Sequence, residues 1–190
     1  MKGSKIHSES LKYLSEEVKM LQRKKISIAL ATALFSALAL APGASAATPT
    51  YLTTTQKAQL KFLIEEEKLA RDVYTFLAGK VTTRKFSNIA RSEQTHMNYI
   101  ATLLTKYKQT NPTVGKAAGV FVNKEIQALY NALTVEGSAG LLEAYGVGVK
   151  VEEVDIASLK ELLAKPMPVD VKAALDLLLA ASYNHLEAFR

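Results

Sequence analysis

Ser92-Glu93-Gln94-Thr95-His96-Met97 sets a glutamate and a histidine three residues apart in a segment of helical period. In an α-helix that spacing projects both side chains from one face, one turn apart. The apolar stripe of the segment runs Phe86, Ile89, Ala90, Met97, Ile100, Leu103, Leu104, Tyr107. Glu93 falls on it, because Phe86, Glu93, Ile100 and Tyr107 are spaced by sevens. A carboxylate on a buried face is costly unless something pairs with it, and a metal ion is one such partner. A lone Glu-x-x-His occurs by chance on many surface helices, so the reading depends on what other segments aim at the same place.

Three more segments of helical period carry a polar residue inside an apolar stripe. The first reads Leu60, Leu63, Glu67, Ala70, Tyr74, Leu77, with Thr54 or Thr55 as its cap and Gly79 as its stop. Its second inward-leaning row, Phe62, Glu66, Leu69, Val73, Phe76, makes Glu66 half-buried. Glu65, Lys68, Arg71 and Asp72 are left for the solvated face. A short link through Thr82 to Lys85 predicts an antiparallel neighbour, a helix of about residues 86–108. Asn111-Pro112 and Gly115 mark a long loop, after which Asn123 caps a short helix of about residues 124–135. Gly137 ends it and Ser138 is expected to cap the next.

The next segment shows Leu141, Leu142, Tyr145, Val149, Glu152, Ile156, Leu159 and Leu163 on one stripe. Glu152 is favoured over Glu153 as the inward residue, because Glu153 points more toward Lys160, though the spacing alone leaves both open. Asp155 shares the face of Glu152 unless Asp155-Ile156-Ala157-Ser158 breaks the helix. Pro166 and Pro168 set up a last helix from Val169, with the stripe Val171, Leu175, Leu178, Ser182, His185, Phe189. His96 and His185 are the only histidines after residue 46, and both lie on these stripes. Taken alone, each reads as a satisfied core histidine; four converging helices turn the expectation to metal ligation.

Composition narrows the chemistry. The 190 residues are 48% hydrophobic and 22% charged, which fits one globular domain plus extras. Abundant Ala, Leu, Lys and Glu favour an all-α fold. The absence of Cys excludes disulfides, zinc–thiolate sites, iron–sulfur clusters and thiol catalysis. Residues 1–46 hold 7 of the 24 Lys/Arg and 3 of the 18 Asp/Glu, which leaves 17 and 15 beyond them, a net of +2. The basic character sits mostly in the leader, so nucleic acid is not an expected partner.

That leader has the order of a secretory signal peptide: basic Arg23-Lys24-Lys25, an apolar run from Ile26 to Ala41, the break Pro42-Gly43, and the cleavage signal Ala44-Ser45-Ala46. Cleavage there starts the mature chain at Ala47, secreted or periplasmic, with no stable membrane anchor. Residues 1–19 are long and mixed in charge for such a leader, and Met20 opens a more typical one. The expected organisation is a leader over 1–46, a linker over 47–53 and a helical domain over 54–190.

A resemblance then becomes specific. Glu67-Lys68-Leu69-Ala70-Arg71-Asp72-Val73-Tyr74, followed by Glu93 and His96, resembles the metal helices of rubrerythrins and ferritins. The stretch from Tyr107 to Ser138 resembles the long crossover of that four-helix bundle, here carrying a short helix between the second and third helices. Glu65-Glu66-Glu67-Lys68-Leu69-Ala70-Arg71-Asp72-Val73-Tyr74, Ser92-Glu93-Gln94-Thr95-His96-Met97 and Ser182-Tyr183-Asn184-His185-Leu186 together look like a family of uncharacterised prokaryotic ferritin-like domains, over about residues 51–190. The resemblance implies a carboxylate-bridged pair of metal ions, iron most often, with manganese also suited to carboxylate and imidazole. It makes Glu67 and Glu152 terminal carboxylates and Glu93 the bridge, with His96 and His185 on one ion each and Tyr74 hydrogen-bonded to a ligand. The fourth helix departs from the pattern, with Ser182 where a symmetric site has Glu. Glu66 or Asp155 could replace that carboxylate, or the site takes one ion, or two weakly.

Three functions are open at this point. The protein could be a redox enzyme acting as a ferroxidase or on O₂ or peroxide, with electrons from outside since no rubredoxin-like domain is present. It could be an exported metal-binding or iron-handling domain without turnover. It could be a metal-free helical interaction module. A homo-oligomer is compatible with the sequence.

Overall fold

The computed structural model describes residues 50–190. The leader, its cleavage site and the first residues of the linker lie outside the described residues. Thr53 starts the first helix, one residue earlier than expected. Its hydroxyl accepts from the Gln56 N–H and the Gln56 side chain accepts from the Thr53 N–H, a reciprocal capping box. Gln56 also donates to Pro166 O at 2.9 Å, which ties this end to the link before the last helix.

Five helices follow: α1 Thr54–Ala78, α2 Lys85–Lys106, α3 Lys124–Gly137, α4 Leu141–Leu163 and α5 Val169–Phe189. All regular structure among the described residues is helical. Asn123 caps α3 as expected, accepting from the N–H groups of Glu125 and Ile126. Ser138 does not cap α4. It closes the end of α3, its hydroxyl donating to Thr134 O, and Gly140 stands at the start of α4. The stretch Asp155 to Ser158 is not a break, because α4 runs through it.

Cross-helix pairs give the directions. Glu67 meets His96 and Arg71 meets Gln94; Tyr74 meets Glu152 and Glu66 meets Ser158. Lys85 meets Ala188 and Lys106 meets Asp170; Glu152 meets His185 and Asp155 meets Ser182. In each of these helix pairs, residue numbers rise on one helix as they fall on the other. So α1 is antiparallel to α2 and α4, α5 is antiparallel to α2 and α4, and these four packings close a ring. It follows that α2 and α4 run parallel, which only a long crossover allows. That crossover, with α3, rests on α1 and α4.

The core forms two layers along this ring. An aliphatic layer joins Leu60, Leu63 and Ile64 of α1 to Ile100 and Leu104 of α2, Leu159 of α4 and Leu175 and Leu178 of α5. At the other end Tyr74, Phe86, Tyr145 and Phe189 pack ring on ring, with Tyr74 and Phe189 centroids 5.2 Å apart. Gly148 makes this possible, since a Cβ there would lie 2.5 Å from the Phe189 ring.

Two expectations about faces fail. Leu142 is 81% exposed and Leu141 49%; α4 instead buries Ala144, Val147, Gly148 and Val151 over its first half. Glu65, Lys68 and Asp72 are buried rather than solvated, because the crossover lies over them. Lys68 pairs with Asp72, donates to Ala117 O at 2.9 Å and lies over the Phe121 ring. Asp72 also accepts from Arg71 and from the Gly119 N–H. Glu65 Oε1 accepts from the N–H groups of Val122 and Asn123, at 2.7 and 3.1 Å.

Candidate metal centre

Between the aliphatic and aromatic layers, the four long helices bring their polar residues together. Each is held inward by the apolar residues one turn above and below it on its own stripe. Glu67, Glu93, His96, Glu152 and His185 are all buried.

They form two triads, Glu67–Glu93–His96 and Glu93–Glu152–His185, with one ligand atom of each residue within 4.8 Å of the others in its triad. Glu93 belongs to both. Its Oε2 lies 2.8 Å from His96 Nδ1 and its Oε1 2.8 Å from His185 Nδ1. His96 Nδ1 is also 3.1 Å from Glu67 Oε2, and His185 Nδ1 is 3.7 Å from Glu152 Oε1. The two imidazoles stack at 5.6 Å between centroids, with both Nδ1 atoms turned to the carboxylates. Tyr74 donates to Glu152 Oε1 at 2.6 Å and so fixes that carboxylate.

The electrostatics follow from burial. Desolvation pushes Glu67 up to about 8 despite its contact with His96. Burial also pushes Glu93 up, but the imidazoles of His185 and His96 outweigh it and hold the carboxyl down at about 2. Burial pulls His96 and His185 down, yet the facing carboxylates raise them to about 11 and about 9. Desolvation, then the carboxylates of Glu152 and Glu93, hold Tyr74 well above the usual phenol range, so it remains a donor.

A metal pair fits this arrangement on an observation apart from any resemblance. Glu67 Oε1, Glu93 Oε1 and His185 Nδ1 are buried without a hydrogen bond, the last two facing each other out of line. Buried polar atoms are ordinarily satisfied. Oxygen and imidazole nitrogen donors with no thiolate suit iron or manganese. Glu67, His96 and one Glu93 oxygen would hold one ion; Glu152, His185 and the other Glu93 oxygen would hold the second.

All five expected ligands are brought together. Glu153 is exposed, which settles Glu152 as the inward residue. Of the further candidates, Tyr74 meets Glu152, Asp155 is buried against Ser182 at 2.6 Å, and Glu66 accepts from Ser158 at 3.0 Å outside both triads. Ser158 was not foreseen as a site neighbour. Its spacing was the signal, since it lies one turn beyond Asp155 on the same face.

Fold and site together define an all-helical protein with a buried carboxylate–histidine cluster able to hold metal. Residues 56–190 match the family described as "Uncharacterized protein domain (DUF2202)", and the chain belongs to that family. It is 42% identical over 125 residues to "Uncharacterized protein MJ0754" of Methanocaldococcus jannaschii, across 66% of this chain and 68% of the relative. The crystal structure of hypothetical protein MJ0754 from Methanococcus jannaschii DSM 2661 superposes with a TM-score of 0.71 at 37% identity, over 81% of this chain and 83% of that one.

Proposed function

We propose that this chain is an exported ferritin-like four-helix protein that holds a pair of iron or manganese ions and uses them in redox chemistry with O₂ or peroxide. The observation that supports it most is the sharing of Glu93 between two buried triads. Burial and the nearness of other acids raise Glu67, Glu152 and Asp155 above the usual carboxylate range, which marks acids packed together without cations enough to hold them ionised. The nearest buried cation, Lys68, is held by Asp72 beneath the crossover rather than by the cluster. That argues against a metal-free module whose carboxylates are matched by Lys or Arg.

When bound, two redox-active ions would supply electrons to O₂ or peroxide, with an external reductant restoring them. The chain's residues do the rest. Glu93 keeps the two ion positions adjacent, Tyr74 orients Glu152, and the aliphatic and aromatic layers keep water away on both sides. Each triad offers three donors, which leaves room for a small molecule. Export rests on the leader, and the mature chain from its host should begin at or near Ala47.

Metal analysis of protein purified without chelator tests the site, followed by O₂ and peroxide consumption after anaerobic Fe(II) loading. Two ions per chain with Fe(II)-dependent consumption is the expected result. Two ions with no consumption would make the protein a metal carrier. No bound ion after loading would overturn the reading.

A further inference from the structure

Asp155 is the buried carboxylate that the two triads leave out. It lies on α4 one turn after Glu152 and is 7% exposed. Its Oδ2 is 2.6 Å from Ser182 Oγ, and its Oδ1 is buried without a hydrogen bond. Ser182 lies on α5 one turn before His185, so the pair joins α4 to α5 beside the Glu152–His185 triad. Among the described residues, no lysine or arginine pairs with Asp155. The charges of Glu67, Glu152 and Glu93 all bear on it. A fourth acid placed beside three others, with one oxygen unmet, costs stability unless something fills that oxygen.

Ser182 explains how that oxygen stays available. Its hydroxyl has one proton and two oxygens in reach, Asp155 Oδ2 and Leu178 O at 2.9 Å. Facing a carboxylate it donates to Asp155; facing a carboxylic acid it accepts and donates to Leu178. Either way it holds Oδ2 and leaves Oδ1 uncommitted.

We propose that Asp155, held by Ser182, is a further ligand of the metal centre, a hard oxygen donor for divalent iron or manganese supplied by α4 where α5 has only a hydroxyl. This rests on the metal reading above. It also gives Ser182 a purpose: a larger acid at that position would run into Asp155. The carboxylate that α5 lacks is moved to its neighbour rather than lost.

The test compares wild type, Asp155→Asn and Ser182→Ala by anaerobic equilibrium dialysis against Mn(II) and Fe(II), with Co(II) visible spectra as a report on the ligand set. Asp155→Asn keeps the shape and the bond to Ser182 while removing the charge. It should weaken Mn(II) binding about 10- to 100-fold and change the Co(II) bands. Ser182→Ala should weaken binding less. Circular dichroism and metal-free melting of Asp155→Asn should stay at or above wild type, which separates lost ligation from lost fold. Equal Mn(II) affinity in wild type and Asp155→Asn would overturn the proposal, as would weaker affinity with unchanged Co(II) bands. Wild type that binds none of the three metals would instead overturn the metal reading itself.

Discussion

Glu93 shows how one residue can be shared by two triads, and its substitution should differ from those of its neighbours. Glu93→Gln should reduce bound metal toward zero, whereas Glu67→Gln and Glu152→Gln should each reduce it toward one ion per chain, as read by elemental analysis. Glu187→Ala, at an exposed position near the end of α5, is the control and should change nothing. Equal metal content in all three Glu→Gln variants would remove Glu93 from its central role. The same residues set a pH dependence. Folding raises Glu67 from 4.5 to about 8, and His96 and His185 from 6.5 to about 11 and about 9. All three bind more protons folded than unfolded, so the metal-free protein should lose stability as pH rises from 6.5 through 9. The depressed Glu93 acts only below 4.5 and does not offset this. Urea midpoints of chelator-treated protein at the two pH values check the sign. Metal ligation needs unprotonated imidazoles, so metal affinity should rise over the same range.

At the scale of elements, the crossover is fastened to α1 by charged groups as well as apolar ones. Glu65 accepts from two N–H groups at the start of α3, and Asp72 gathers Lys68, Arg71 and the Gly119 N–H. Gly119 has a φ of +74°, and a Cβ there would meet the Tyr130 ring at 2.7 Å, so the chain can make this close turn only with glycine. Glu65→Ala takes the acceptor from two part-buried N–H groups and should cost about 1–3 kcal/mol in all by urea denaturation. Bound metal should be unaffected, because Glu65 points away from the triads. A loss of metal with no loss of stability would show that the crossover and the centre are coupled in some other way.

For the whole molecule, the centre joins all four long helices, so a bound ion should stabilise the entire fold. At free metal about 100 times its dissociation constant, linkage contributes about 2.7 kcal/mol, which corresponds to a melting shift of about 5–10 °C for a domain of this size. Differential scanning with and without Mn(II) reads it directly, and no shift would mean that the ion does not bind the folded chain in preference to the unfolded one. Among the described residues no helix is long and apolar enough to cross a membrane. Residues 47–190 carry a net charge of only +2, so stability should depend weakly on salt apart from the exposed pairs Lys106–Asp170 and Lys172–Asp176.

The all-helical class, the order of the helices and the five residues of the central cluster were legible in the chain itself. Helical period is a local property, and a Glu or His interrupting an apolar stripe is visible wherever the stripe is, as Glu67, Glu93, His96, Glu152 and His185 each were. Which faces ended up buried was not. The charged row Glu65, Lys68, Asp72 looks solvated by period, and only the crossover folded over it makes it interior. Leu141 and Leu142 look like core by period, yet they are 49% and 81% exposed. The pairing of Asp155 with Ser182 lies beyond any local signal, because the two residues are far apart in the chain and meet only where α4 crosses α5. Apolar spacing tells a helix which side to bury, but partners distant in sequence decide which polar groups go in with it and what satisfies them.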